Sequence, residues 1–207
     1  MHPTLLAVMS HTDTRPLHLA ERAGAVGFVA ALTAAAAQIS VPLPFTPVPF
    51  TFQPMVVLVG SAALGARLGM MSQVLYLALG VAGLPVFAAS PVLPQGIGRL
   101  LGPTGGYLMA YPLAAFVSGW LAQRGFDRRY VTAVGAMACG LAVIFTGGVT
   151  WLALFVPPPR GFAAALAAGF FPFVVADLVK LLLAAGVMPS LWWLSGRSRW
   201  ETKNASE

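Results

Sequence analysis

Asp177 and Lys180 stand three residues apart inside "AGFFPFVVADLVKLLLAAG" (168–186), an otherwise uncharged apolar run. On a helix that spacing puts both side chains on one face. Deep in a membrane each charge costs ~2.5–3.5 kcal/mol, so the two together cost on the order of 6 kcal/mol before compensation. One reading is an ion pair that neutralises itself and steadies a bundle. The other is a polar site facing a cavity, with a carboxylate to accept hydrogen bonds and an ammonium to donate them. Arg99, in "GIGRLLGPTGG" (96–106), is the third charge that could join them. Its planar guanidinium suits a carboxylate, against the plainer reading of a solvated loop cation. Asp, Lys and Arg in one small, mostly apolar pocket would hold a ligand carrying both donors and acceptors. Gln53, Tyr76 and Tyr107 are weaker candidates for the same site, and Gln73 and Gln95 weaker still.

Familiar catalytic sets are missing. "GPTGG" (102–106) lacks the Gly-Lys-Ser/Thr of a P-loop, and "GIGRLLG" (96–102) spaces its glycines wrongly for a dinucleotide turn. There is no His-Glu-x-x-His and no Gly-x-Ser-x-Gly. His2, His11 and His18 all precede the first apolar run and read as solvated. Cys139 is the single cysteine, which excludes an intramolecular disulfide and a multi-cysteine metal site. The expectation is a protein that is not an enzyme, with no catalytic residue, no metal and no cofactor. Uphill movement of a substrate would need ATP hydrolysis by another chain, or ion coupling through Asp177 and Lys180.

The elements that must position these residues follow from composition. The chain has 207 residues, 58% hydrophobic and 9% charged, with mean hydropathy +0.81. Ordinary soluble domains are about 25% charged, so the expected class is an all-α integral membrane protein. Continuous apolar runs, without alternation, argue against a β-barrel. Spans are expected at 20–40, 54–67, 69–84, 105–123, 130–155 and 172–194. The second and third are short, joined near Arg67 and Gly69; a re-entrant hairpin is the alternative, but it would leave Arg67 deep in the membrane. This divides the chain into a cytoplasmic tail (1–19), a six-helix unit (20–195) and a second cytoplasmic tail (196–207), the latter read as frayed.

Six spans with both termini inside place Arg15, Arg22, Arg67, Arg124, Arg128, Arg129, Arg197, Arg199 and Lys203 in the cytoplasm. Only Arg99 and Arg160 lie outside, which fits the positive-inside rule. The +6 net charge is therefore read as orientation in a cell (inner) membrane and not as nucleic-acid binding. A helix starting at 172 puts Asp177 ~8 Å and Lys180 ~12 Å below the outer end, at 1.5 Å per residue.

Two outside segments are unusual. "VPLPFTPVPFTFQP" (41–54) carries prolines at 42, 44, 47, 49 and 54 and must be extended. "LPVFAASPVLPQGIGRLLGPTGG" (84–106) is rich in Gly and Pro. Both are apolar enough to lie as lids over an outward-facing pocket, against the plainer reading of ordinary connectors. "PPPRGFAAALAAG" (157–169) reads as carrying a short surface helix. The first span holds Ala23, Gly27, Ala31 and Ala35 at four-residue intervals. Such a small-residue stripe lets another helix approach closely, either within the bundle or from a partner subunit. Trp192 and Trp193 read as interfacial.

Four segments in order, "QISVPLPFTPVPFTFQP", "YLALGVAGLPVFA", "LLGPTGGYLMAYP" and "PFVVADLVKLLLA", resemble the BioY family. Its members are the biotin-specific S components of energy-coupling factor (ECF) transporters. The resemblance covers nearly all of 20–195. It implies six transmembrane helices, a biotin pocket near the outer face, and coupling to a transmembrane ECF scaffold subunit and two cytoplasmic ATPases. It also implies that the stripe of the first helix faces the scaffold. Asp177 could then accept a ureido N–H, Lys180 donate to the ureido carbonyl, and Arg99 take the carboxylate; a carboxylate on Lys180 is the alternative. A stand-alone proton-coupled carrier of biotin or a similar small carboxylate, with Asp177 as relay, is the competing function.

Overall fold

The structure is a computed structural model and describes residues 2–9, 15–89, 95–156 and 161–204. His11 and Arg160 lie outside the described residues, as do the side chains of Arg15, Arg197, Arg199 and Lys203.

The apolar runs become helices: α1 (Leu5–Met9), α2 (Arg15–Gln38), α3 (Gln53–Leu64), α4 (Ala66–Val81), α5 (Ile97–Leu101), α6 (Gly105–Ala122), α7 (Tyr130–Leu154), α8 (Gly161–Gly169) and α9 (Phe171–Asn204). Three stretches are long and apolar enough to cross a membrane: His18–Gln38, Tyr130–Leu154 and Phe171–Ser195. Helices α3 and α4 are shorter apolar helices. Large apolar side chains face outward on the long helices, including Phe28 at 64%, Val131 at 80% and Val175 at 74% exposure. Such an exterior suits lipid tails, and a chain of this kind is a membrane protein.

The proline-rich segment is free of helix up to Gln53, as its composition dictates, but it turns at 44–45 and bends at 47–48 and is not extended throughout. What the composition does not announce is that it folds back on itself: β1 (Ser40–Val41) pairs antiparallel with β2 (Phe50–Thr51). Helix α3 then starts at Gln53, with Pro54 in its first turn, where the missing N–H is not needed. The α3–α4 joint corrects the expected one near Arg67 and Gly69. The chain turns at Gly65, whose φ of +85° is open to glycine but disfavoured for other residues. Arg67 sits exposed in the first turn of α4.

Contacts at the joints define two ends of the bundle. At one end the N–H of His2 donates to the carbonyl of Gln123 at 2.7 Å. A Cβ at Gly65 would lie 2.7 Å from Gln123 Nε2 and 2.8 Å from Thr4 Cγ2. The N-terminal segment, the α3–α4 turn and the C-terminus of α6 therefore meet there. At the other end Thr46 Oγ1 donates to the Ala168 carbonyl at 2.6 Å, and Trp151 Nε1 to the Gly102 carbonyl at 3.0 Å. Helix α3 thus begins at one end and finishes at the other, and α4 returns. Arg22, Arg67, Arg124, Arg128 and Arg129 gather toward the first end, while Arg99 lies at the second.

Several details depart from expectation. Within the expected N-terminal tail, Leu5 is 6% exposed and packs in a core cluster with Leu58, Met137 and Leu181. The C-terminal segment expected to fray continues α9 to Asn204. Residues 97–101, expected as loop, form α5. The short helix expected within 157–169 is present as α8. Gln73 does not reach the pocket: its Nε2 bonds Thr33 Oγ1 at 3.2 Å, tying α4 to α2. On α2, Ala23, Ala31 and Ala35 are exposed and Gly27 half-buried, and a Cβ at Gly27 would meet nothing within 4 Å. The small-residue stripe is therefore not packed inside this chain's own bundle.

Candidate functional site

Asp177 and Lys180 project from the first half of α9 toward the interior, at 7% and 6% exposure. Lys180 Nζ lies 2.7 Å from Asp177 Oδ1. It also donates to the Thr51 carbonyl at 2.7 Å and stands 3.4 Å from the centroid of the Phe50 ring. An ammonium has three N–H donors, so the carboxylate, one backbone carbonyl and an aromatic face together surround it. The β2 strand is thereby anchored to α9, and the proline-rich segment is held across the site.

Arg99 arrives from α5 and is 4% exposed, not the solvated loop cation that was one reading. Burial pulls its pKa below the ordinary guanidinium value, with nearby Tyr76 opposing the shift; an arginine still keeps its charge. The local sequence explains its placement. A Cβ at Gly105 would collide with the carbonyl of Leu100, the residue after Arg99. The glycine in "GPTGG" is what lets α5 fold down onto the start of α6.

The charged groups line one cleft, together with Thr51, Gln53, Thr104, Tyr107 and Tyr111 as polar neighbours. Phe87, Leu108, Ile144, Phe145 and Phe173 supply apolar walls. Its empty space, open mouth included, is about 650 Å³. Five sequence candidates therefore line it: Asp177, Lys180, Arg99, Tyr107 and Gln53. The sixth, Tyr76, does not. It lies behind the wall, accepting from Gln53 Nε2 at 2.6 Å and donating to the Val86 carbonyl at 3.2 Å. It orients Gln53 instead of facing the cavity. Tyr107 donates to the Gly169 carbonyl at 2.7 Å, joining α6 to the α8–α9 corner.

Sequence reasoning passed over Tyr111 and Thr104. Tyr111 is one helical turn beyond Tyr107, so the i, i+4 spacing carried a signal. Thr104 Oγ1 is buried with no hydrogen-bond partner among the described residues. Nothing in the sequence marked it apart from its neighbours in the glycine-rich corner.

A cleft with one carboxylate, two cations and apolar walls can recognise a small organic ligand that is part polar amide and part anion. Among the described residues no nucleophile–base pair lines it. The model of the BioY family matches residues 9–197. The chain belongs to the BioY family. As a BioY-family chain it is 42% identical over 165 residues to the "Probable biotin transporter BioY" of Pyrococcus horikoshii, covering 80% of this chain and 92% of that protein. The "Biotin transporter BioY" of Thermotoga maritima is 41% identical over 159 residues, covering 77% and 88%. The fold of this BioY member superposes on the crystal structure of the S-component for biotin from an ECF-type ABC transporter, with TM-score 0.76 and 23% identity. That match covers 87% of this chain and 94% of the other.

Proposed function

We propose that this chain is the substrate-specificity component of a vitamin uptake transporter, binding biotin in the cleft and releasing it inward with an ATP-driven ECF module. The observation that carries this reading is the buried Asp177–Lys180 pair lining an apolar cleft beside Arg99, in a chain whose relatives are named as biotin transporters. Biotin offers two ureido N–H donors, one carbonyl, a thioether ring, an aliphatic chain and a carboxylate. Asp177 accepts a ureido N–H, Lys180 donates to the carbonyl, and Arg99 takes the carboxylate. Gln53, Tyr107 and the Thr104 hydroxyl, without a partner among the described residues, complete the polar set, while Tyr76 acts through Gln53. Matched buried polar partners give selectivity, because an analogue lacking one group strands its partner. The reverse orientation, carboxylate on Lys180, is told apart with biotin methyl ester: an ester penalty that vanishes in Arg99→Gln and persists in Lys180→Met supports the first arrangement.

The chain works as a transport subunit and not as an enzyme, and biotin is its substrate, with no cofactor. In this reading α2, α3, α4, α6, α7 and α9 are six spans of the inner membrane. The arginine-rich end and both termini are cytoplasmic, as the positive-inside rule requires, and residues 20–195 form the membrane unit. The exposed stripe Ala23, Gly27, Ala31 and Ala35 docks the transmembrane scaffold. The test is uptake of labelled biotin into vesicles holding this chain with and without the scaffold and ATPase subunits. ATP-dependent accumulation only with the full set supports the assignment. Accumulation by the chain alone under an imposed pH gradient would instead support a proton-coupled carrier.

A further inference from the structure

A second cleft lies at the arginine-rich end, far from the biotin site. It is enclosed by α1, α2, α4 and α6, and its empty space, open mouth included, is about 1790 Å³. Its rim carries Arg22 and Arg67, both exposed. Among the described residues neither arginine has an ion-pair partner, and Glu21 is the one acidic side chain in the lining, 3.7 Å from His18 Nδ1. Behind the rim the wall is apolar, built by Leu64, Leu68 and Phe116. Trp120 closes one side, 38% exposed, with the Arg124 guanidinium 3.1 Å from its ring centroid.

This is a cationic mouth over an apolar floor, at the bundle end where the bilayer surface must lie. Two guanidiniums suit a phosphodiester, and tryptophan favours the headgroup level. A free phosphate would satisfy the rim but leave the apolar wall uncovered, and a zwitterionic lipid would bring a cation beside its phosphate that offsets the attraction to the two arginines. We propose that this cleft holds an anionic phospholipid, with Arg22 and Arg67 on its phosphate and Leu64, Leu68 and Phe116 against the first part of an acyl chain. The bound lipid would fix α1 and the start of α2 to the rest of the bundle.

The experiment is native mass spectrometry of the full chain in neutral detergent, titrated with phosphatidylglycerol or phosphatidylcholine. Retention of phosphatidylglycerol over phosphatidylcholine is expected. An Arg22→Gln/Arg67→Gln variant should bind it about thirtyfold more weakly, at about fivefold per surface charge, and Arg129→Gln, outside the cleft, should not change it. The double variant's elution volume and unfolding temperature, unchanged, show that the loss is local. Equal retention of both lipids would overturn the proposal, as would an equal loss in Arg129→Gln. Displacement by inorganic phosphate would reassign the site to a free anion, and equally tight binding of a polyglutamate peptide to an acidic protein partner; both overturn it.

Discussion

Replacing Lys180 by methionine, alone and together with Asp177→Asn, separates two roles that the geometry superimposes. Lys180 is 6% exposed and satisfies both Asp177 Oδ1 and the Thr51 carbonyl at 2.7 Å. Lys180→Met alone leaves a buried carboxylate without its cation, which costs about 3–5 kcal/mol. Adding Asp177→Asn removes the stranded charge. Replacing a whole buried pair by neutral groups of similar volume is often close to neutral, so most of the lost stability should return. Binding should not return. A hydrogen bond to a charged partner is worth about 1.5–3 kcal/mol, so losing the ammonium weakens biotin binding about 10- to 150-fold, and the double variant by at least as much. Thermal unfolding in detergent reads the first quantity, and equilibrium binding of labelled biotin the second. Recovery of both stability and affinity in the double variant would refute the reasoning, because the pair would then be a structural strut that the ligand never touches.

Thr104→Val should leave the unfolding temperature nearly unchanged and weaken biotin several-fold, since its buried hydroxyl has no partner in the described protein and a neutral hydrogen bond contributes about 1 kcal/mol; competition with labelled biotin checks this. Gly105→Ala should weaken binding while preserving membrane insertion, because its methyl would press on the Leu100 carbonyl and shift Arg99; titration of biotin against biotin methyl ester reads the loss at the carboxylate. Burial pushes the Asp127 carboxyl above its usual range, with the Trp192 hydrogen bond the largest opposing effect. A raised carboxyl pKa favours the folded state below the unfolded value of about 3.9 and loses that advantage as pH rises through the folded value. Asp127→Asn should therefore raise the unfolding temperature near neutral pH, with the gain shrinking toward pH ~4.

The parts of the fold that were legible are those fixed by local chemistry. Apolar run length gives the helices, five prolines keep 42–54 from being a continuous helix, and the three-residue spacing puts Asp177 and Lys180 on one face of α9. What escaped depends on contacts between distant residues. The two-residue strands β1 and β2 exist because the proline-rich segment doubles back beneath Lys180, which grips Thr51 from 129 positions away. The α3–α4 joint sits at Gly65 because that residue takes a positive φ against Gln123 and Thr4; neighbouring glycines in the sequence look equally able. Asp127 passed unnoticed among arginines, and becomes a buried group only where Trp192 Nε1 reaches its Oδ2 at 2.7 Å. Tyr76 illustrates the converse: a polar residue on the right helix, at 0% exposure, that serves the site through Gln53.

The most direct test is calorimetric titration of biotin into the purified chain, beside the Asp177→Asn/Lys180→Met variant shown to be folded. Saturable one-to-one binding by the native chain, and its loss in the variant, is the expected result. Native-like affinity in that variant, or no saturable binding by the native chain, would contradict it.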